Sequence, residues 1–215
     1  MRLNNRTFIL GGFLGVLGVA YSAFLFGANG TSFFSFGFNQ NQPLDTNTWG
    51  LVQEAHAAAG SVERYNYLSV QRSSSCGLQP ATVDMYSDEQ NIQGSCCSKM
   101  DLHRYQEQVE GLKKYSEIDV IPKDPYDISA ALAKRLFGYQ QNITLTSTQQ
   151  AIYDQAVELS DEGGPCCCKC WRWYAFEGQA KYLVTEYGWG AEEIAELWDL
   201  QDGCGGSGHS HGAGH

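Results

Sequence analysis

Four of the eight cysteines in this 215-residue chain fall within five positions, in Pro165-Cys166-Cys167-Cys168-Lys169-Cys170. Neighbouring thiols bridge one another only with strain, because a disulfide needs a set torsion and Cα atoms about 4.4–6.8 Å apart. These sulfurs therefore look outward for partners. An extended backbone turns Cys166, Cys168 and Cys170 to one side and Cys167 to the other. A helix would instead align Cys170 with Cys166 or Cys167. Either geometry presents two or three sulfurs to one soft ion. Pro165 suits the first position of a helix, and Trp171 to Tyr187 continues with helical spacing. The thiols are then expected in a first turn, where free N–H groups and the positive end of the dipole favour thiolate.

A second group repeats the pattern. Cys76, Cys96 and Cys97 lie in a loop rich in Ser, Gly, Gln and Asp, and Ser98 with Asp101 has the form of a helix N-terminus. Leu102, Tyr105, Val109 and Leu112 mark the apolar stripe of a helix running to about Tyr115. Met100 and His103, three apart, share a face of its first turns. Together with Cys96 and Cys97 they form a soft donor set suited to Cu(I). Taken singly, Met100 reads as core filler and His103 as a solvent-facing side chain. Cys204, remote in sequence, is a candidate further ligand, and His209, His211 and His215 suit loose capture of Cu(II), Zn or Ni.

The elements that must position these groups read as helices. Besides the helix after Ser98, Asp127 to about Tyr139 carries Ile128, Ala131, Leu132 and Leu136 at helical spacing. Ser147 with Gln150 forms a capping box for a helix to Leu159. Trp171 to Tyr187 ends at Gly188, and Ala191 to Leu200 ends at Asp202-Gly203. A short helix is expected around Val52 to Ala59, with His56 an ordinary surface residue. About five helices and almost no alternating pattern indicate an all-α domain over residues 51–202. The tail, 203–215, is mostly Gly, Ser and His, cannot bury a core and is expected to be mobile. It also reads, more plainly, as an end without a role or a cloning remnant.

Upstream, Phe8 to Phe26 gives nineteen residues without a charge, preceded by Arg2 and Arg6. At about 1.5 Å per residue such a run approaches the ~30 Å hydrocarbon core of a bilayer. Residues 1–28 are read as a membrane anchor with the N-terminus cytoplasmic, the competing reading being a cleaved signal sequence. Residues 29–50, rich in Phe, Gly and Asn, read as a linker. Either way the domain is exported, where thiols commonly pair, so a disulfide-stapled scaffold competes with a metal site.

Composition excludes several classes. A formal charge of −10 without a basic stripe disfavours nucleic acid and anionic membrane surfaces as partners. Trp171 rather than His follows Cys170, so no c-type haem site is formed, and paired C-x-x-C motifs of a zinc ribbon are missing. No nucleophile elbow, phosphate loop or H-E-x-x-H helix is present, and the reading is of a protein that is not an enzyme.

The run from Pro165 to Cys170 resembles the P-C-x-C-x-C signature of the PCYCGC-motif proteins, a group of exported, often lipid-anchored bacterial proteins. Gly188-Trp189-Gly190-Ala191-Glu192-Glu193-Ile194 resembles the segment of that group in which one helix ends and the next starts. On this resemblance Cys166, Cys168 and Cys170 correspond to the motif cysteines, while Cys167 and Lys169 stand where the family has Tyr and Gly. No lipid-anchoring cysteine follows the apolar span. The resemblance covers the last quarter of the chain and implies export and cysteine chemistry.

Three functions follow as expectations. The first is a membrane-tethered, extracytoplasmic carrier of a soft metal, copper foremost, working with a metal-transfer or membrane-protein partner. The second is a disulfide-stapled interaction subunit of a membrane complex. The third is a redox protein holding an iron–sulfur cluster or a reactive disulfide, with zinc a further alternative as bound metal.

Overall fold

Seven α-helices and one two-stranded ladder make up residues 55–206, the part of the chain that the computed structural model describes. The helical reading holds. The proposed span at 8–26, the linker at 29–50 and the histidines of the tail lie outside the described residues, as do residues 52–54 of the expected first helix; of its remainder Ala55 is helical and residues 56–59 are not. Among the described residues no helix is long and apolar enough to cross a membrane.

Helix α1, Val62–Ser69, begins where the Ser61 side chain accepts from the Arg64 N–H. Helix α2, Pro80–Val83, is a single turn opened by proline. Strand β1, Asn91–Gln93, pairs antiparallel with β2, Asp127–Ser129, burying Ile92 against Ile128. Strands of three residues are too short to display an alternation, so the sequence pattern misses them. Arg64 binds Asp127, which ties α1 to this ladder.

Helix α3, Leu102–Leu112, is capped by Asp101, three residues later than expected, because the Ser98 hydroxyl is engaged with the Cys204 carbonyl instead. Helix α4, Ala130–Asn142, is capped by Ser129 rather than Asp127, whose carboxylate serves the ladder by accepting from Asn91, Gln93 and Arg64. Helix α5, Ser147–Leu159, has its capping box at Thr146 and Gln149. Helix α6, Trp171–Tyr182, runs on through a π turn, Leu183–Tyr187, to Gly188 at φ 68°, and helix α7, Ala191–Gln201, completes the set.

The main core lies between α4 and α6, with α5 and α7 packed beside them. Ala133, Leu136 and Phe137 of α4 meet Ala175, Phe176 and Ala180 of α6, while Tyr153 of α5 meets Trp198 of α7 edge-on at 5.4 Å. Gly178 sets the α4–α6 spacing, since a Cβ there would collide with the Leu136 carbonyl and lie 2.7 Å from the Gln140 nitrogen. A smaller cluster of Leu68, Met100, Tyr105, Val109 and Tyr126 fills the space under α1 and α3. Within it the Tyr105 hydroxyl donates to Asp124 at 2.7 Å, and burial holds the Asp124 carboxyl above its ordinary range.

Gly178→Ala is expected to destabilise the fold by about 1–3 kcal/mol, as overpacking against backbone does. Gly138→Ala, in the same core-forming pair but with open space at its Cβ, is expected to stabilise by about 0.5–1 kcal/mol. Urea unfolding of the two variants checks the contrast, and equal effects would contradict it.

Candidate metal centre

Four separate segments bring the cysteines together. Cys76 sits in the loop between α1 and α2, Cys96 and Cys97 follow β1, Cys166 to Cys170 precede α6, and Cys204 follows α7. Backbone hydrogen bonds hold the segments in place. The Cys96 N–H donates to Gly203 O at 3.0 Å, Ser98 N–H to Cys204 O at 2.8 Å, and Gly206 N–H to Lys99 O at 2.7 Å. The Trp171 N–H donates to Leu78 O at 2.9 Å and so links the cysteine run to the Cys76 loop. Gly205, at φ 83°, brings its Cα so close to Ser98 that a Cβ would lie 2.5 Å from the Ser98 carbonyl. Residues 203–206 are therefore docked, contrary to the expectation of a free tail from 203 onward, and Cys204 is buried.

All eight cysteines are free thiols. The expected alternative of four disulfides is not found: an S–S bond is about 2.05 Å long, and the nearest two sulfurs, Cys76 and Cys97, are 2.6 Å apart. The thiols gather in threes: Cys76 with Cys96 and Cys97, Cys96 with Cys166 and Cys204, Cys97 with Cys167 and Cys204, and Cys166 with Cys168 and Cys170. In each group the sulfurs lie within 4.8 Å of one another. Cys96–Cys97, Cys97–Cys167, Cys96–Cys204, Cys166–Cys170 and Cys166–Cys204 are separated by 3.6–3.9 Å. Sulfurs about 2.3 Å from a shared ion stand roughly 3.8–4.0 Å apart at tetrahedral or trigonal corners. The cluster can hold metal.

The run before α6 adopts neither helical first turn nor helical spacing. Helix α6 begins at Trp171 with Cys170 at its cap, and Pro165 and Cys166 to Cys168 form the preceding loop. Gly163 and Gly164, both at positive φ, end the approach from α5, and the Cys170 N–H turns back to Cys168 O at 2.9 Å. The dipole argument therefore reaches Cys170 alone. Cys166, Cys168 and Cys170 share one group and Cys167 belongs to another, the two-sided split of an alternating backbone.

Neighbouring thiols, rather than a helix, set the proton positions. Donation from Cys170, Cys204 and Cys96, together with the Cys168 N–H, holds the Cys166 thiol far below its ordinary range. Its three partners are raised in turn, each chiefly by its hydrogen bond to Cys166. Burial raises Cys167 and Cys168 and pushes Cys97 up to about 12. Negative charge is thus drawn towards Cys166, while its neighbours hold their protons more firmly. Metal entry must displace those protons.

Other expected ligands stand apart. Met100 is buried in the Tyr105 cluster and His103 is exposed, paired with Glu107 at 3.1 Å, so the predicted joint donor set with Cys96 and Cys97 is not assembled. Helix α3 starts too late to carry Met100, whose backbone bridges Gly206 instead. His209, His211 and His215 lie outside the described residues. Arg172, which the sequence reading passed over as one charge among aromatics, is fully buried beside the centre with its guanidinium over the Trp171 ring at 4.9 Å and against Gly203. Its three guanidinium nitrogens have no hydrogen-bond partner among the described residues. A cleft of about 460 Å³ opens onto Cys96 and Cys97 between Arg72 and Lys99.

Comparison with known proteins adds no relative: no family model matches the chain, and neither the curated proteins nor the solved structures contain a match.

Gly205→Ala is expected to loosen the 203–206 segment and expose Cys204. Alkylation followed by peptide mass spectrometry checks this, with labelling of Cys204 rising at least about tenfold if the opening cost falls by about 1.4 kcal/mol. Unchanged labelling would contradict the role assigned to the docked segment.

Proposed function

We propose that the chain binds and delivers a soft metal ion, Cu(I) before others, through its converging thiols. The observation that carries this reading is the gathering of eight cysteines from four distant segments into groups of three whose sulfurs lie within 4.8 Å of one another. Thiolate donors select Cu(I), zinc and iron–sulfur clusters. Structural zinc almost always takes four ligands, whereas these groups offer three sulfurs each. An iron–sulfur cluster needs room for its own iron and sulfide between the cysteines, and sulfurs within 4.8 Å leave room for single ions. Cu(I) is the ion that suits three soft donors.

The wider setting belongs to the same proposal. The uncharged run from Phe8 to Phe26 supports a membrane tether with the domain outside the cytoplasm, and the acidic chain supports a protein partner rather than nucleic acid. The exposed thiols Cys76 and Cys97 stand at the outer end of the thiol array and Cys166 and Cys170 at its buried end. A donor protein can pass its ion to the outer pair by ligand exchange. On this proposal the protein is a carrier and not an enzyme.

A second reading rests on two short approaches. Cys76–Cys97 at 2.6 Å and Cys167–Cys204 at 2.9 Å place thiols where loss of two electrons and two protons would join each pair. Such a protein would exchange disulfides in place of metal.

Reduced, anaerobic protein loaded with Cu(I) and desalted is expected to retain copper with its thiols protected from alkylation. Cys166→Ser, Cys168→Ser and Cys170→Ser combined are expected to weaken Cu(I) retention against a competing chelator by about tenfold or more, since a whole set of three donors is removed. Unchanged metal content in that triple variant would contradict the carrier reading. Protein isolated without copper and with both short pairs oxidised would favour thiol exchange.

A further inference from the structure

The four groups of thiols are not independent sites. Cys96, Cys97, Cys166 and Cys204 each belong to two groups, while Cys76, Cys167, Cys168 and Cys170 each belong to one. Four ions with three sulfurs each require twelve bonds, and four shared plus four unshared cysteines supply that number. The pattern of sharing also fixes a connectivity. Cys96, Cys97 and Cys204 link three of the groups pairwise into a ring of alternating ions and sulfurs, and Cys166 joins the fourth to that ring.

Charge is the second observation. Eight thiolates outweigh four monovalent ions by four charges, so a cluster of this composition is strongly anionic and needs a buried cation. Arg172 is that cation. It is fully buried, no group among the described residues accepts from its guanidinium, and it rests against Gly203, next to Cys204. Its own backbone N–H donates to the Cys170 sulfur. A buried guanidinium without a hydrogen-bond acceptor is costly, and the larger negative charge of a thiolate cluster beside it offsets that cost.

We propose that the centre holds a single cluster of four Cu(I) ions in which Cys96, Cys97, Cys166 and Cys204 bridge and Arg172 offsets one of the four excess negative charges. This rests on the soft-metal reading above and adds nuclearity to it. Each sulfur gives up its single thiol proton to solvent as it takes its first Cu(I), and the four bridging sulfurs form their second bond from a remaining lone pair, so twelve bonds form with no more than eight protons released. No electron is transferred.

Anaerobic titration with Cu(I), read by native mass spectrometry, tests the stoichiometry. The full chain is expected to take about four ions with the intermediate species sparsely populated, because shared sulfurs make binding cooperative. Cys168→Ser, which removes an unshared sulfur, is expected to lose about one ion, and Cys204→Ser, which removes a shared one, about two. Arg172→Met is expected to raise the melting temperature of the metal-free protein and to weaken Cu(I) retention by about tenfold or more. Arg172→Lys, which keeps the charge, is expected to restore much of the retention. Binding of one ion per chain, or equal losses in the two cysteine variants, would overturn the cluster while leaving the carrier reading intact. Absence of any copper would overturn both. Should Cys204→Ser fail to fold, the wild-type count and the Arg172 pair decide alone, and an Arg172→Met protein less stable without metal and unaltered in retention would overturn the charge role.

Discussion

The backbone pairing of Cys96 to Lys99 with Gly203 to Gly206 is the constraint on which the centre depends. It fastens residues 203–206 across a loop more than a hundred residues earlier, and it does so with main-chain hydrogen bonds. Gly205 makes the approach possible because its positive φ and bare Cα admit the Ser98 carbonyl. From that pairing follows the burial of Cys204, and from Cys204 the joining of two thiol groups that would otherwise stand apart. The helices behind it, with α4 and α6 pressed together at Gly178, supply a rigid wall against which the loops are held. Precise sites are easier to build on such a frame than on loops alone.

Electrostatics then divides the fold into two states of different ease. Without metal, protons must sit on most of the thiols, since burial and mutual proximity forbid several thiolates at once, and Arg172 is buried without an acceptor. Both are costs that a metal would relieve. Stability drawn from ligand binding in this way rises with metal concentration, so the fold and its cargo are linked through mass action. Under the proposed carrier reading, the emptied protein would be the less stable form and disposed to refill.

Much of the helical frame was legible in the sequence, and the places where reading slipped share a physical cause. The α5 cap moved by one residue because Thr146-x-x-Gln149 and Ser147-x-x-Gln150 satisfy the same rule. Ser98 and Asp127 looked like caps but are spent on tertiary bonds, to Cys204 and to the β-ladder, which no local pattern announces. Clustering of the cysteines in sequence pointed to metal chemistry, and the alternation in the run from Cys166 to Cys170 foreshadowed its division between two groups. What the sequence could not display was the arrival of Cys76 and Cys204, which depends on long-range backbone pairing. Met100 and His103 were misplaced because helical spacing was assumed to begin before Asp101. Arg172 was overlooked since a cation between two tryptophans reads as ordinary amphipathic surface, and only burial reveals its isolation.

X-ray absorption at the copper edge of the loaded, full-length protein addresses the central claim most directly, because it reports the donor atoms themselves. Coordination through the converging thiols predicts a first shell of about three sulfurs near 2.3 Å and no nitrogen or oxygen contribution. A first shell of imidazole nitrogen or carboxylate oxygen would contradict it and would move the metal away from the cysteines altogether.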